Sequence, residues 1–93
     1  MSNKYVYPTE EERKAILDEL NEPYDRLVRE DERKRITSLS RSSVHRMELK
    51  GRFPARRALT EKHCAWLLSD LMHWMRNIPE VENVHNPYAN AHK

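Results

Sequence analysis

The sequence predicts a mainly α fold with a small β-hairpin, formed by one small domain with tails. The chain has 93 residues, which excludes two full domains of ordinary size. It holds a single glycine, and the tight turns of an all-β sandwich or barrel usually need more. Apolar residues make up 38% and charged residues 34% of the chain, so the core is expected to be small and the surface densely charged.

The first helix is expected to run from Glu10 to Leu20. Thr9 is its predicted N-cap, and Glu12, three residues later, completes the pattern of a capping box. Glutamates fill the first turn, where the helix dipole favours them. The apolar stripe of this helix comprises Ala15, Ile16, Leu17 and Leu20.

A second helix is expected from about Glu30 to Thr37. Three acidic residues precede three basic ones there, in the order that the helix dipole prefers. The apolar pair Leu27 and Val28 precedes this helix, and Ile36 is its clearest inward-facing residue.

A third helix follows after the short turn Ser38-Leu39-Ser40, in which we expect the leucine to be buried and Ser40 to be the N-cap. The helix should run from Arg41 to Lys50 and end at Gly51 as a C′ glycine. Two residues, Val44 and Met47, are placed to face the core. The opposite face is basic and rich in hydroxyls, with Arg41, Ser42, His45 and Arg46.

The last third of the chain is expected to form a hairpin and a fourth helix. The hairpin strands are Arg56 to Leu59 and Cys64 to Trp66, and the helix runs from Leu67 to Asn77. The residues predicted to lie in the core are Trp66, Leu71, Trp74, Met75 and Cys64. Residues 79–93 are expected to be a flexible tail, because they contain few apolar residues.

The charge is distributed unevenly along the chain. The formal net charge is only +2, but residues 26–62 hold twelve basic and five acidic residues, whereas residues 1–25 hold three basic and seven acidic ones. A basic segment of this kind suggests a polyanionic partner, with nucleic acid favoured over a membrane because no large amphipathic apolar face accompanies it. The alternative is a solvated basic face without a partner.

Several classes of function lack support in the sequence. The single cysteine excludes an internal disulfide, and no Cys/His spacing indicates a metal site, so neither a metal nor another cofactor is expected. No nucleophile with an adjacent base, pair of carboxylates in an apolar setting, or glycine-rich phosphate loop is indicated, so an enzyme is not expected. Without a signal peptide or an apolar span, the chain is expected to be cytoplasmic, associated with the nucleoid when bound to DNA.

A short turn that presents a helix with basic and hydroxyl side chains is what a helix-turn-helix DNA reader requires. The second helix of this motif enters the major groove with its N-terminal residues at base edges. Arginine bonds guanine bidentately, and serine or histidine bonds base edges or phosphates.

Several spaced motifs also resemble a known family. The run from Ile36 to Met47, then Lys50-Gly51-Arg52-Phe53-Pro54, then the run from Ala65 to Leu71 and the pair Trp74-Met75, are similar to the AlpA family of phage and genomic-island regulators. That family is related to MerR-like winged helices and small excisionases. The resemblance covers about residues 24–77, and it implies a winged helix-turn-helix fold with the hairpin as the wing. One position departs from the family pattern in a way that implies extra burial or a partner surface, because Leu68 stands where the family has an acidic residue.

The resemblance implies sequence-specific binding of double-stranded DNA, in transcriptional regulation, in excisionase-type control of recombination, or in both. Candidate protein partners are a second copy of the chain, an integrase or RNA polymerase. The expected organisation is an N-terminal segment with an acidic helix (1–23), a DNA-binding domain (24–78) and a tail (79–93). The residues expected to contact DNA are Arg41, Ser42, Ser43, His45, Arg46, Lys50, Arg52, Arg56, Arg57 and Lys62.

A protein-interaction adaptor is the alternative function. In that case the basic segment would bind an acidic partner, and the N-terminal helix and the tail would be docking elements. For Lys50 and Arg52 a second role also remains open, since cations near Gly51 interact favourably with the C-terminal end of the third helix.

Overall fold

The computed structural model describes residues 4–79 and confirms the mainly α fold with a β-hairpin. The elements, in chain order, are α1 (Glu10–Glu19), β1 (Leu27–Val28), α2 (Glu30–Thr37), α3 (Arg41–Leu49), β2 (Arg57–Ala58), β3 (Cys64–Leu67) and α4 (Leu68–Arg76). The predicted flexibility of the C-terminal tail concerns residues that, from 80 onward, lie outside the described part of the chain.

The start of α1 is fixed by the predicted capping box. The Thr9 hydroxyl accepts from the Glu12 backbone N–H at 3.1 Å, and the Glu12 carboxylate accepts from the Thr9 N–H at 2.8 Å. The bond from the Thr9 backbone is the main reason that the pKa of Glu12 is lowered. Ile16 is buried and Leu17 half-buried, but Ala15 and Leu20 are exposed, so the apolar stripe is narrower than expected.

Replacing Thr9 with alanine is expected to lower the free energy of unfolding by about 1 kcal/mol, because both bonds of the capping box depend on the geometry at this N-cap. Urea unfolding of the Thr9→Ala and Thr9→Ser variants provides the measurement. Serine keeps the accepting hydroxyl, so the Thr9→Ser variant should stay close to the parent protein. Equal losses in the two variants would contradict the assignment.

The helix-turn-helix region follows the prediction closely. α2 has the predicted bounds and ends at Ser38, which adopts the left-handed conformation with φ 61°. Ser40 is the N-cap of α3, its hydroxyl accepting from the Ser43 N–H at 3.2 Å. Gly51 has φ +71°, a conformation that favours glycine, so it ends α3 as expected.

The sheet contains a strand that the sequence did not reveal. β2 and β3 form the predicted hairpin, with Arg57 opposite Ala65, and β1 adds to the other edge of β3, with Val28 opposite Trp66. The sequence does not predict a strand at Leu27–Val28, because two residues are too few to show alternation. Leu67 also lies in β3 rather than in α4, which begins one residue later than expected.

The core lies between the sheet and the helices, and its buried apolar residues are Val28, Val44, Phe53, Trp66, Leu68 and Leu71. The extra burial implied by Leu68 is confirmed, with 4% of its surface exposed. Leu39, Met47 and Trp74 are partly buried and pack against this cluster, as expected.

Three core predictions need correction. Met75 is 37% exposed, because it lies in the last turn of α4, outside the apolar cluster that Leu68 and Leu71 join. Cys64 is only half-buried, near the end of the hairpin. The buried residue of α2 is Arg33, whose side chain is fully covered, whereas Ile36 is half-buried.

A buried polar network joins α1 to α4. The Arg13 guanidinium donates to the Asp70 carboxylate at 2.6 Å and to the Ser69 hydroxyl at 2.8 Å. Asp25 accepts from the Ser69 backbone N–H at 3.1 Å, so it caps the start of α4 from a distant part of the sequence. The Tyr5 hydroxyl donates to the Asp70 carbonyl at 3.0 Å, and burial is the main reason that the pKa of Tyr5 is raised.

Candidate nucleic-acid interface

The N-terminal half of α3 presents the polar face that the sequence predicted. Val44 turns inward and is 3% exposed. Because one face of α3 is fixed against the core, the other face projects outward. The exposed residues on that outward face are Arg41, Ser42, His45 and Arg46.

Ser43 differs from the other predicted contact residues on α3. It is half-buried, and its hydroxyl accepts from the Ser40 hydroxyl at 2.9 Å and from the Arg46 guanidinium at 3.3 Å. Its position lets it orient Arg46 as well as support the N-cap. The Ser43 hydroxyl can also donate a hydrogen bond to a phosphate, so its structural role is compatible with a DNA contact.

The end of α3 carries a group of basic side chains. Lys50 and Arg52 are both exposed on either side of Gly51. The N-terminal segment passes here too, since the Tyr5 N–H donates to the Gly51 carbonyl at 2.7 Å, and the Lys4 side chain lies beside Gly51. Sequence reasoning missed Lys4 because the contact joins segments that are more than forty residues apart.

The hairpin carries the remaining predicted contacts. Arg57 on β2 and Lys62 in the connecting loop are exposed. The loop is closed by the Leu59 N–H donating to the His63 carbonyl at 2.7 Å. Arg56, just before β2, is also exposed, but its Nε lies 3.5 Å from the Glu48 carboxylate. An ion pair with α3 therefore already engages this guanidinium.

An apolar residue also lies on the outward face of α3. Leu49 is 75% exposed and stands four residues after His45, which places both side chains on one face of the helix. An apolar side chain at such a place can contact the methyl group of thymine. The sequence carries a signal for this residue, since Leu49 falls outside the inward stripe of Val44 and Met47, but an apolar residue type does not by itself indicate a DNA contact.

Positive charge at the surface is concentrated after residue 40. In the preceding segment, Arg33 is buried against Glu30. Arg26 donates to the carboxylates of Glu22 and Glu32, which raises the pKa of Arg26 and lowers the pKa of Glu32. Residues 26–40 hold five basic residues against three acidic ones, whereas residues 41–62 hold seven against two, so α3 and the hairpin carry most of the unbalanced charge.

Arg33 fixes the position of the turn before α3. Its Nη1 donates to the Leu39 carbonyl at 2.5 Å and to the Thr37 hydroxyl at 3.2 Å, and it forms an ion pair with Glu30. Its guanidinium also lies over the ring of Trp66, 5.5 Å from the centroid. The turn is therefore held by a planar group with several donors, which limits how far α3 can move relative to α2.

Two other features are absent from the described part of the chain. Residues 4–79 contain no group of three or more His, Cys, Asp or Glu side chains able to hold a metal ion. No helix within that range is long and apolar enough to cross a membrane.

Comparison with known proteins gives one match. No curated protein and no solved structure matches the chain. A family model does match, over residues 26–78, and its description is prophage CP4-57 regulatory protein (AlpA). The matched range begins just before β1 and ends after α4, so it contains the helix-turn-helix, the hairpin and every predicted contact residue. With more than half of its length matched, the chain belongs to the AlpA family of prophage regulatory proteins.

Proposed function

We propose that this protein binds specific sequences of double-stranded DNA, with α3 as the recognition helix and the β2–β3 hairpin as a wing. Family membership supports a regulatory role. The observation that carries the proposal is the exposed polar face of α3, which begins directly after the Ser40 cap and holds Arg41, Ser42, His45 and Arg46. These side chains have the donors needed to read base edges in a major groove.

The phosphate backbone would be contacted on both sides of this face. Lys50 and Arg52 stand at the end of α3, and Arg57 and Lys62 on the hairpin. Such contacts supply affinity and fix the register of the protein on the duplex, while base contacts supply specificity. Arg56 joins them if its guanidinium reaches a phosphate while still close to Glu48.

The regulatory role is proposed to be transcriptional control, excisionase-type control of recombination, or both, in the cytoplasm of a cell that carries the phage or integrated element. The two roles use the same surface but different DNA architectures. A protein of the excisionase type should occupy several adjacent direct repeats and bend them, whereas a promoter regulator should protect one site. Footprinting and a bending assay on both the attachment region and the promoter distinguish these roles.

Removing either arginine on α3 should weaken the preference for the native sequence. In fluorescence anisotropy, the parent protein is expected to bind a duplex from its own upstream or attachment region at least about 10³-fold more tightly than a scrambled duplex. Arg41→Ala and Arg46→Ala should each weaken specific binding by about 1 to 3 kcal/mol, because each removes a base-reading group. Binding to the scrambled duplex should change less.

The matched control is Lys14→Ala. Lys14 is an exposed basic residue on α1, outside the proposed surface, so its loss should leave both affinity and salt dependence unchanged. Equal binding of native and scrambled duplexes by the parent protein would overturn the proposal. In that case the adaptor function, with an acidic protein partner for the basic segment, would become the leading explanation.

A further inference from the structure

Glu48 is an acidic residue in a segment whose charged residues are mostly basic. Its side chain is 11% exposed, and it is one of two acidic residues in residues 41–62. On a helix that approaches a polyanion, a carboxylate opposes binding through plain electrostatics. A structural role therefore explains this carboxylate on α3 better than a direct role in binding.

The contacts of Glu48 supply that reason. One carboxylate oxygen accepts from the Trp66 indole N–H at 3.1 Å and from the Arg56 backbone N–H at 3.1 Å. The other oxygen lies 3.5 Å from Arg56 Nε. Because Arg56 leads into β2 and Trp66 lies in β3, one side chain of α3 holds both strands of the hairpin.

The partner of Glu48 in the sheet is itself firmly held. Trp66 is 3% exposed, packs edge-to-face on Phe53 with ring centroids 6.5 Å apart, and lies under the Arg33 guanidinium. The indole is therefore a fixed anchor, and Glu48 transmits its position to the start of the hairpin. The strands themselves provide little stiffness, since β2 has only two residues.

We propose that Glu48 is a positioning residue that fixes the hairpin relative to α3, so that base and phosphate contacts form in one binding event. This inference rests on the proposed DNA-binding function. A hairpin held at the correct distance contacts phosphates without first losing conformational freedom, whereas a loose hairpin must be ordered on binding. Glu48 thus favours DNA binding although its charge opposes it.

The proposal and plain electrostatics predict opposite signs for removal of this carboxylate. Glu48→Met keeps the side-chain length but removes both acceptors, so we expect binding at about 0.1 M salt to weaken by roughly tenfold or more. The slope of log affinity against log salt should become shallower by about 2, because Arg57 and Lys62 no longer contact phosphates together. Glu61→Ala, an equal change of charge on the exposed wing loop, should bind as tightly as the parent protein or more tightly.

Three further variants complete the test in the full-length protein. Glu48→Gln keeps one oxygen acceptor for the two N–H groups, so it should retain the parent slope and lose no affinity. The pair Arg57→Gln and Lys62→Gln should reproduce the slope change of Glu48→Met, and combining all three substitutions should add little more, because they remove the same contacts. Thermal unfolding confirms that each variant is folded at the temperature of the titration.

The possible outcomes separate the inference from the function on which it rests. A parent protein that does not prefer its native duplex overturns the proposed function. A parent protein that prefers its native duplex, together with a Glu48→Met variant that binds as tightly as Glu61→Ala, overturns the inference alone. Full additivity between Glu48→Met and the wing pair also overturns the inference, since independent contacts would then be involved.

Discussion

Replacing Arg13 with methionine is expected to lower the free energy of unfolding by about 3 to 5 kcal/mol. The Asp70 carboxylate is 1% exposed and accepts from Arg13 at 2.6 Å, so the substitution leaves a buried carboxylate without its cation. Because the Asp70 side chain is almost fully buried, water solvates its carboxylate poorly once the guanidinium is gone. Urea unfolding followed by tryptophan fluorescence provides the measurement.

Two controls test the cause of this loss. In the double variant Arg13→Met with Asp70→Asn, no unpaired charge remains, so the double variant should be more stable than Arg13→Met alone. Arg76 and Glu19 join the same two helices at the same 2.6 Å, but both side chains are well exposed. Arg76→Met should therefore cost less than about 1 kcal/mol, and a loss comparable to that of Arg13→Met would contradict the argument from burial.

In the ion pair of α2, replacing Glu30, the more exposed partner, is expected to lower the free energy of unfolding more than replacing Arg33. Arg33 is fully buried, whereas the Glu30 side chain is 37% exposed. Glu30→Ala leaves a buried guanidinium without its counter-charge, and we expect a loss of about 3 to 5 kcal/mol. Arg33→Met leaves Glu30 free to bind water and removes partners only from the Leu39 carbonyl and the Thr37 hydroxyl, so about 1 to 3 kcal/mol is expected.

The order of the two losses is the decisive result, and chemical unfolding of both variants measures it. A matched control is Glu22→Ala, which also removes a carboxylate from an arginine, but from Arg26, whose side chain is 45% exposed. That variant should lose less than about 1 kcal/mol. If Arg33→Met proves more destabilising than Glu30→Ala, packing of the guanidinium on Trp66 outweighs its charge.

Local signals allowed the helices to be predicted almost residue by residue. The capping box at Thr9, the N-cap at Ser40 and the C′ glycine at Gly51 act within one helical turn, so a reading of neighbouring residues captures them. The bounds of α2 also followed from local charge order. These elements are determined by interactions between residues that are close in sequence.

Contacts between distant residues could not be predicted in the same way. Asp25 caps α4 across 44 positions, and Arg13 binds Asp70 across 57. The burial of Arg33 likewise depends on Trp66, which lies on another element, so hydrophobic periodicity gave the wrong inward residue for α2. Polar residues are buried when the tertiary structure supplies partners, and one sequence does not reveal those partners.

For the candidate interface, residue type and exposure could be predicted, but geometry could not. Most of the expected contact residues are exposed, as a basic reading face requires. The bonds of Ser43 to Ser40 and of Arg56 to Glu48 were not foreseen, since they depend on side-chain orientation. The proposed DNA contacts themselves stay predictions until binding is measured.

The pairing of β1 with β3 gives the chain an unusual dependence on its first strand. Leu27 lies opposite Leu67, so a closed loop of about forty residues contains the whole of α2, α3 and the hairpin. Closing such a loop costs conformational entropy, which the contacts inside must recover together. α3 and the hairpin, which carry the proposed reading surface, therefore lie inside one closed unit, and loosening β1 is expected to destabilise both together.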